Sequence, residues 1–374
     1  MTALAAPADQ NIRTRTPLTG EPSVMSPVPP HLVHRSDEAD VLLTHFGRAD
    51  ADTYLFTVQW PTTHALFSSV LGQVNPMLIA ETVRQAGTVL AHKVFEAPMD
   101  DQFLLWNLRY ESFHDLRRPG GPPTPTKAVI RSPEVTLRGR RLATIHIDME
   151  LFSGHLRIGT GAASANCLSA AAYRRLRPGL PDAPDTSDAH DAPVPAVAPR
   201  TAILPSLVGK ENEQDVMLSP LDSTSPLDTA PAHTPAAPLD TASAAPGAPW
   251  SAARPAGAPR TAAWRLRADR DHPVIFDSQS DHLPGRGIIE AMRQAAQLAA
   301  GLDHALVLSM NAEFRRYVEL DRPCTVSTEI GAEQPDGRIP IEVTMYQDNE
   351  VAALALLLVQ DVKPAARHNL PVRP

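Results

Sequence analysis

Apolar positions along this chain fall into two kinds of run, and the same series of runs occurs twice. Over residues 52–60, Tyr54, Phe56, Val58 and Trp60 alternate with other residues, the period of a half-buried strand. Residues 40–44 predict a shorter strand before it. From Asn75-Pro76 to about Phe95 the period changes: Leu78, Ile79, Thr82, Val83, Ala86, Val89 and Leu90 cover most of a helical circumference. A helix that is apolar nearly all round is a central one, wrapped by the rest of its domain. Four strands follow, at residues 103–110, 128–131, 142–152 and 155–163, the last two joined as a hairpin at Phe152-Ser153-Gly154. The second series has its helix after the turn residues Pro284 and Gly285. Ile288, Ile289, Met292, Ala295, Ala296 and Ala299 form the apolar face, and Gly301 ends it. Strand runs through Val326, residues 341–346 and residues 352–358 complete that series.

The repetition holds residue by residue. Val33-His34-Arg35 and Asp40-Val41-Leu42-Leu43-Thr44 match Val208-Gly209-Lys210 and Asp215-Val216-Met217-Leu218-Ser219, 175 positions on. Phe56, Val58 and His64 match Trp264, Leu266 and His272 at an offset of 208. Glu81 and Arg84 match Glu290 and Arg293 at 209, and Asn107 and Tyr110 match Asn311 and Phe314 at 204. The offset jumps by 33 between Ser219 and Trp264, which locates an insertion in the second copy. Two copies of roughly 150 residues make a pseudo-twofold protein, because solenoid repeats span only about 20–50 residues. A sheet curled around one long helix is the hotdog architecture, so the expected fold is α+β, a tandem (double) hotdog.

Composition sets the domain limits. Residues 1–30 are polar and proline-rich and read as a disordered leader. The N-terminal hotdog domain is expected over 31–177, a Pro-rich linker over 178–202, the C-terminal domain over 203–365 and a tail over 366–374. Inside the second domain, residues 222–262 are built from Pro, Ala, Asp, Ser and Thr and read as a disordered insertion. A hydrophobic content of 43% supports two cores, and a net charge of −8 argues against a nucleic-acid partner. Cys167 and Cys324 are the only cysteines, too few for a disulfide framework or a Cys-based zinc site. No apolar run reaches membrane-spanning length and no secretory signal opens the chain. The expected protein is soluble and cytoplasmic, with no membrane partner; homo-oligomerisation stays open.

The candidate chemistry sits on the two helices. Glu290, Arg293 and Gln294 stand at i, i+3 and i+4, and Glu81, Arg84 and Gln85 repeat them. A surface Glu–Arg pair is worth only about 0.2–0.5 kcal/mol, and would not need the same residues twice.

The chain resembles the A-factor synthase (AfsA) family, double-hotdog γ-butyrolactone synthases. The resemblance rests on Gln59-Trp60-Pro61 with His64, on Asn75-Pro76, on Ala80-Glu81-Thr82-Val83-Arg84-Gln85-Ala86-Gly87, and on Leu90-Ala91-His92. In the second copy it rests on His272-Pro273-Val274-Ile275-Phe276-Asp277 and on the stretch from Asp281-His282 to Gln294. It spans roughly residues 31–175 and 203–362. The resemblance implies transfer of a β-ketoacyl group from acyl carrier protein to the hydroxyl of dihydroxyacetone phosphate, giving the precursor of a diffusible autoregulator. Such a transfer needs a base for the hydroxyl proton and a donor for the developing oxyanion. It calls for no cofactor.

Glu81 and Glu290 are then candidate bases or hydroxyl-orienting groups; the alternative is a pair of buried ion pairs holding the helices. Arg84 and Arg293 are candidate ligands for phosphate or oxyanion, since guanidinium binds phosphate with two bonds. Glu81 and Arg293, from different copies, are expected to act together in one cleft. Gln85, Gln294 and His64 are candidate substrate contacts, and His272 is the repeat equivalent of His64. His282 resembles the histidine of hotdog dehydratases, whose motif also reads His-x-Pro-Gly, although its spacing to Glu290 is shorter here. No metal-ligand constellation occurs, and the cysteines lie outside the motifs, which points to direct transfer without a covalent thiol intermediate. A hotdog thioesterase or dehydratase, and a non-catalytic acyl-binding protein, are the competing readings.

Overall fold

The computed structural model describes residues 22, 24–61, 63–64, 66–113, 126–177, 201–221, 261–277 and 280–363. The first copy comprises β1 (Ser26–Pro27), β2 (Leu43–Arg48), β3 (Thr53–Val58), α1 (Met77–Lys93), β4 (Gln102–Ser112), β5 (Thr126–Arg138), β6 (Arg141–Ser153) and β7 (Leu156–Leu168). A short helix α2 (Ala170–Leu176) ends it. The second comprises β8 (Leu218–Ser219), β9 (Thr261–Leu266), α3 (Gly285–Ala300), β10 (Ala305–Phe314), β11 (Cys324–Ile330), β12 (Arg338–Gln347) and β13 (Glu350–Asp361).

All thirteen described strands form one sheet in the order β1-β2-β3-β5-β6-β7-β4-β10-β13-β12-β11-β9-β8. The copies meet where β4 pairs antiparallel with β10. There Asn107 faces Glu313, Leu108 faces Ala312 and Arg109 faces Asn311. The repeat offset of 204 carries Asn107 to Asn311 and Arg109 to Glu313, so exchanging the copies turns the first of these pairings into the third. The pseudo-twofold axis therefore passes between Leu108 and Ala312. This is the side-by-side tandem arrangement expected from the repeat.

Each long helix lies on the concave face of its own half: α1 against β4, β6 and β7, α3 against β11, β12 and β13. Small residues let α1 close on the sheet. A Cβ on Gly161 of β7 would lie 2.3 Å from Val83, and one on Gly159 would lie 2.9 Å from Ile79. The helix is buried nearly all round, with Met77, Ile79, Val83, Ala86, Val89 and Leu90 inaccessible. Burial of each larger aliphatic chain contributes about 1.5–3 kcal/mol.

Several boundaries differ from the sequence reading, each for a local reason. Within the expected leader, Ser26–Pro27 pairs with β2 and Val28 is buried, so ordered chain begins before residue 31. Residues 38–40, at the entry to the first expected strand, form a 3-10 turn capped by the Asp37 carboxylate. Strand β5 runs past Arg131 because Pro133, which cannot donate a ladder hydrogen bond, sits at an irregularity between Arg131 and Glu134. Helix α2, capped by Ser169 Oγ, had no apolar period to announce it. Thr261 and Ala262, assigned to the insertion, open β9. The rest of the expected insertion and tail, and the expected linker up to residue 200, fall outside the described residues. No described helix is long and apolar enough to cross a membrane.

A chain of residues 31–177 alone would leave β4 without β10, an unpaired eleven-residue edge. It is expected to dimerise or aggregate in size-exclusion chromatography. A stable, monodisperse monomer would contradict the arrangement.

Candidate active site

The i, i+3, i+4 spacing on α1 folds Arg84 and Gln85 back onto Glu81. Arg84 Nε donates to Glu81 Oε2 at 2.9 Å and its Nη2 to Oε1 at 2.7 Å. Gln85 Nε2 donates to Oε1 at 2.9 Å, and Arg35, from the loop before β2, adds a bond of 2.5 Å. On α3 the same pattern recurs. Arg293 Nε reaches the two Glu290 oxygens at 3.1 and 3.0 Å, Gln294 Nε2 reaches Oε1 at 2.8 Å, and Lys210 Nζ lies 3.0 Å away. Glu81 is 1% exposed and Glu290 fully buried. Burial opposes ionisation of both carboxyls, but Arg35 and Arg84 outweigh it at Glu81, and Arg293 and Lys210 at Glu290. Both are held below the usual carboxylate range.

Each cluster is also tied to the opposite copy. Arg35 Nη1 donates to the Val274 carbonyl at 3.3 Å, and Lys210 Nζ donates to the Leu66 carbonyl at 2.5 Å. Those carbonyls belong to the loops carrying His272 and His64. His272 Nδ1 accepts from Val274 and Ile275 N–H, both at 3.2 Å, and Nε2 lies 3.0 Å from Asp215. His64 Nδ1 accepts from Leu66 and Phe67 N–H, at 3.0 and 3.2 Å. Two bonds accepted at Nδ1 put the proton of each neutral ring on Nε2.

The structure therefore separates the candidates. Gln85 Nε2 also donates to the Asp40 carbonyl and Oε1 accepts from Leu42 N–H; Gln294 does the same with Asp215 and Met217. Both protons of each amide are thus engaged within the protein, and each side chain clamps the chain entering β2 or β8. His64, 7% exposed, shapes its own loop in the same way. No hydrogen bond or ion pair joins Glu81 to Arg293 among the described residues; each carboxylate is taken by its own helix's arginine. The two arginines differ. Arg293 donates Nη1 to Gln297 Oε1 at 2.8 Å and Nη2 to the Val208 carbonyl at 2.7 Å, and its side chain is 6% exposed. Arg84 has Thr88 where Gln297 would be, its side chain is 24% exposed, and its Nη1 has no partner among the described residues.

His282 stands apart from both clusters, before the first turn of α3. Its Nδ1 lies 2.5 Å from Asp281 Oδ1, and Tyr173 OH donates to both Asp281 oxygens at 2.8 and 3.0 Å. Burial opposes ionisation of Asp281, but the His282 and Tyr173 donors outweigh it and hold the carboxyl low. In the Nδ1–H tautomer, which directs its proton at Asp281, Nε2 carries the lone pair, and the ring is partly exposed.

A family model described as the A-factor biosynthesis hotdog domain matches residues 18–169 and 251–360. The chain belongs to that family. It is 32% identical to a 2-oxo-3-(phosphooxy)propyl 3-oxoalkanoate synthase of Streptomyces virginiae, covering 89% of this chain and 97% of the relative. Proteins of the same name from Streptomyces coelicolor and Streptomyces griseus are 28% and 26% identical. They cover 88% and 91% of this chain, and 91% and 98% of their own lengths. In this member of the A-factor biosynthesis hotdog family, Arg35 and Lys210 complete the two carboxylate clusters from outside the helix motifs. The repeat had already aligned them, and a basic residue in both copies was the available signal. Asp281 carried the signal of adjacency to His282. Tyr173 carries none, because α2 has no apolar period.

Burial first, then His92, Arg84 and Arg35, lowers His34 from 6.5 to about 4. His64 also falls from 6.5 to about 4, again chiefly through burial. A folded pKa below the unfolded one means that the unfolded chain takes up protons first. The stability these neutral rings contribute at pH 7 is therefore lost as pH falls from about 6.5 towards about 4. Urea denaturation at stepped pH is expected to show that slope, and a His34→Gly/His64→Gln double variant a flatter one. Equal slopes for the two proteins would contradict the assignment.

Proposed function

We propose that this chain is a β-ketoacyl transferase that joins a β-ketoacyl group from acyl carrier protein to dihydroxyacetone phosphate. The observation that carries the reading is the similarity to synthases along nearly their whole length. Their shared name describes the product: a 3-oxoalkanoate ester of a 2-oxo-3-(phosphooxy)propyl group, which is dihydroxyacetone phosphate less its hydroxyl group. The acyl donor must be an activated β-ketoacyl group, and a carrier-protein thioester supplies it. Two free, buried thiols suit the reducing cytoplasm in which we place the reaction.

The residues suit direct transfer. His282 Nε2 accepts the proton of the acceptor hydroxyl, and the oxygen attacks the thioester carbonyl carbon. As the tetrahedral adduct collapses, the C–S bond breaks and the proton passes to the departing thiol, leaving ester and free carrier. Asp281 and Tyr173 act as positioning residues that fix the His282 tautomer, as a carboxylate partner does in other general-base pairs. Arg84, with an Nη1 proton pair free and part of its guanidinium exposed, serves as a ligand for developing negative charge or phosphate. Glu81 and Glu290, ionised and saturated with donors, serve as anchors for the arginines; a carboxylate held low is a weak base. No cofactor enters the scheme.

Incubation with a panel of β-ketoacyl carrier proteins and dihydroxyacetone phosphate, read by mass spectrometry, is expected to give the phosphorylated ester and free carrier thiol in equal amounts. Free thiol without ester would mark a thioesterase. Intact donor thioester with every carrier would mark an acyl-binding protein.

A further inference from the structure

The two long helices begin differently. At α1, the Asn75 side chain accepts from Met77 N–H at 3.0 Å and so caps the first turn. At α3 the N-cap is Pro284, with no side-chain cap. The first helical bonds there run from Gly287 and Ile288 N–H to the Pro284 carbonyl, at 2.8 and 3.2 Å. Gly285 and Arg286 N–H have no hydrogen-bond partner among the described residues. Orphan amides at a helix start carry the positive end of its dipole and suit an anion.

A second observation lies in the same turn. Arg286 is 8% exposed, and its Nη1 is buried without a hydrogen-bond partner. Its guanidinium forms no ion pair among the described residues. Helical side chains lean towards the helix N-terminus, which brings this guanidinium to the end where the free amides are. A buried cation without a counter-charge is costly to keep, and an anion seated on that turn would satisfy it. Nearby acids are already engaged. Asp281 takes Tyr173, His282 and Arg177, and Glu319 takes Arg177 at 2.6 Å. Arg177 stacks over Tyr317 at 4.3 Å, the ring against which His282 packs edge-on at 4.6 Å, and its own Nη1 is a second buried donor without a partner.

We infer that the uncapped start of α3, with Arg286, is a phosphate-ester binding site beside His282. Gly285 and Arg286 N–H and the Arg286 guanidinium would supply its donors, the combination by which helix starts and arginine fork onto phosphate. The site stands on geometry alone; only the identity of its occupant rests on the acyl-transfer reading above. Two phosphates are available to that reaction: the monoester of dihydroxyacetone phosphate and the phosphodiester of the carrier's pantetheine arm.

The test compares the full-length wild-type chain with Arg286→Leu, an apolar residue suited to a position so little exposed. Binding of dihydroxyacetone phosphate and of pantetheine 4′-phosphate is measured by titration calorimetry without donor thioester. Melting temperature and the KM for each substrate are measured on the same preparations. Arg286→Leu is expected to weaken binding of one phosphate ester about tenfold or more, the cost of a lost charge-assisted bond. The unliganded melting temperature should be unchanged or higher, because the unpaired buried charge is gone. Weakened dihydroxyacetone phosphate with a matching rise in its KM assigns the site to the acceptor; weakened pantetheine phosphate with a raised carrier KM assigns it to the donor arm. Unchanged affinity for both overturns the site, and so does a melting temperature that collapses in the variant. Lost phosphate binding in a protein whose wild type transfers no acyl group would keep the site and overturn the reaction.

Discussion

Two buried carboxylates, each held between two cations, tie this molecule together. Glu81 sits between Arg35 and Arg84, and Glu290 between Lys210 and Arg293. The arginine of each pair comes from the same helix, one turn on. The other cation comes from the chain before β2 or β8 and reaches onward to a loop carbonyl of the opposite copy. One carboxylate thus fixes a helix, the entry to a strand and the contact between copies. Removing Glu290 would strand the buried Lys210 and Arg293, and removing Glu81 the buried Arg35 beside the partly exposed Arg84; breaking a buried pair by deleting one partner typically costs about 3–5 kcal/mol. That constraint explains why Glu, Arg and Gln recur at the same spacing in both copies: the geometry needs all three in each.

Where the copies differ, the chain is free to do chemistry. Gly209 in the second copy corresponds to His34 in the first, and both have left-handed backbones. Gln297 seals Arg293, whereas Thr88 leaves Arg84 open, with His34 and His92 hydrogen-bonded 2.8 Å apart near it. The asymmetry reverses at the helix starts, where Asn75 closes α1 and Pro284 leaves α3 open. His282, Asp281 and Tyr173 gather at that open end, and Tyr173 arrives on α2 from the first copy. The scaffold is symmetric and the open positions are not, which fits a reaction with two unlike substrates.

The sequence made the architecture legible because its periods are strong. The wrapped helix is readable from an apolar circumference and the duplication from the 204-residue offset, while the axis at Leu108–Ala312 also needs the register of β4 on β10. The doubled Glu–Arg–Gln motif was readable as important. Its role was not, since a motif cannot reveal how many donors surround a carboxylate. Gln85 illustrates this: its substrate role was plausible from position, but both ends of its amide are spent on the backbone at Asp40 and Leu42. The Tyr173–Asp281–His282 group was beyond sequence reading because 108 residues separate the tyrosine from the aspartate, and α2 has no period to predict it.

In the proposed division of labour the buried carboxylates hold the frame and His282 moves the proton. Melting temperature and single-turnover acyl transfer, measured together on Glu81→Gln and His282→Gln, test it most directly. A marked loss of melting temperature is expected in Glu81→Gln, with activity falling in step. For His282→Gln the expectation is a nearly unchanged melting temperature and turnover reduced by about 10²–10⁴-fold. A Glu81→Gln protein of wild-type stability that cannot turn over, beside a fully active His282→Gln protein, would contradict it.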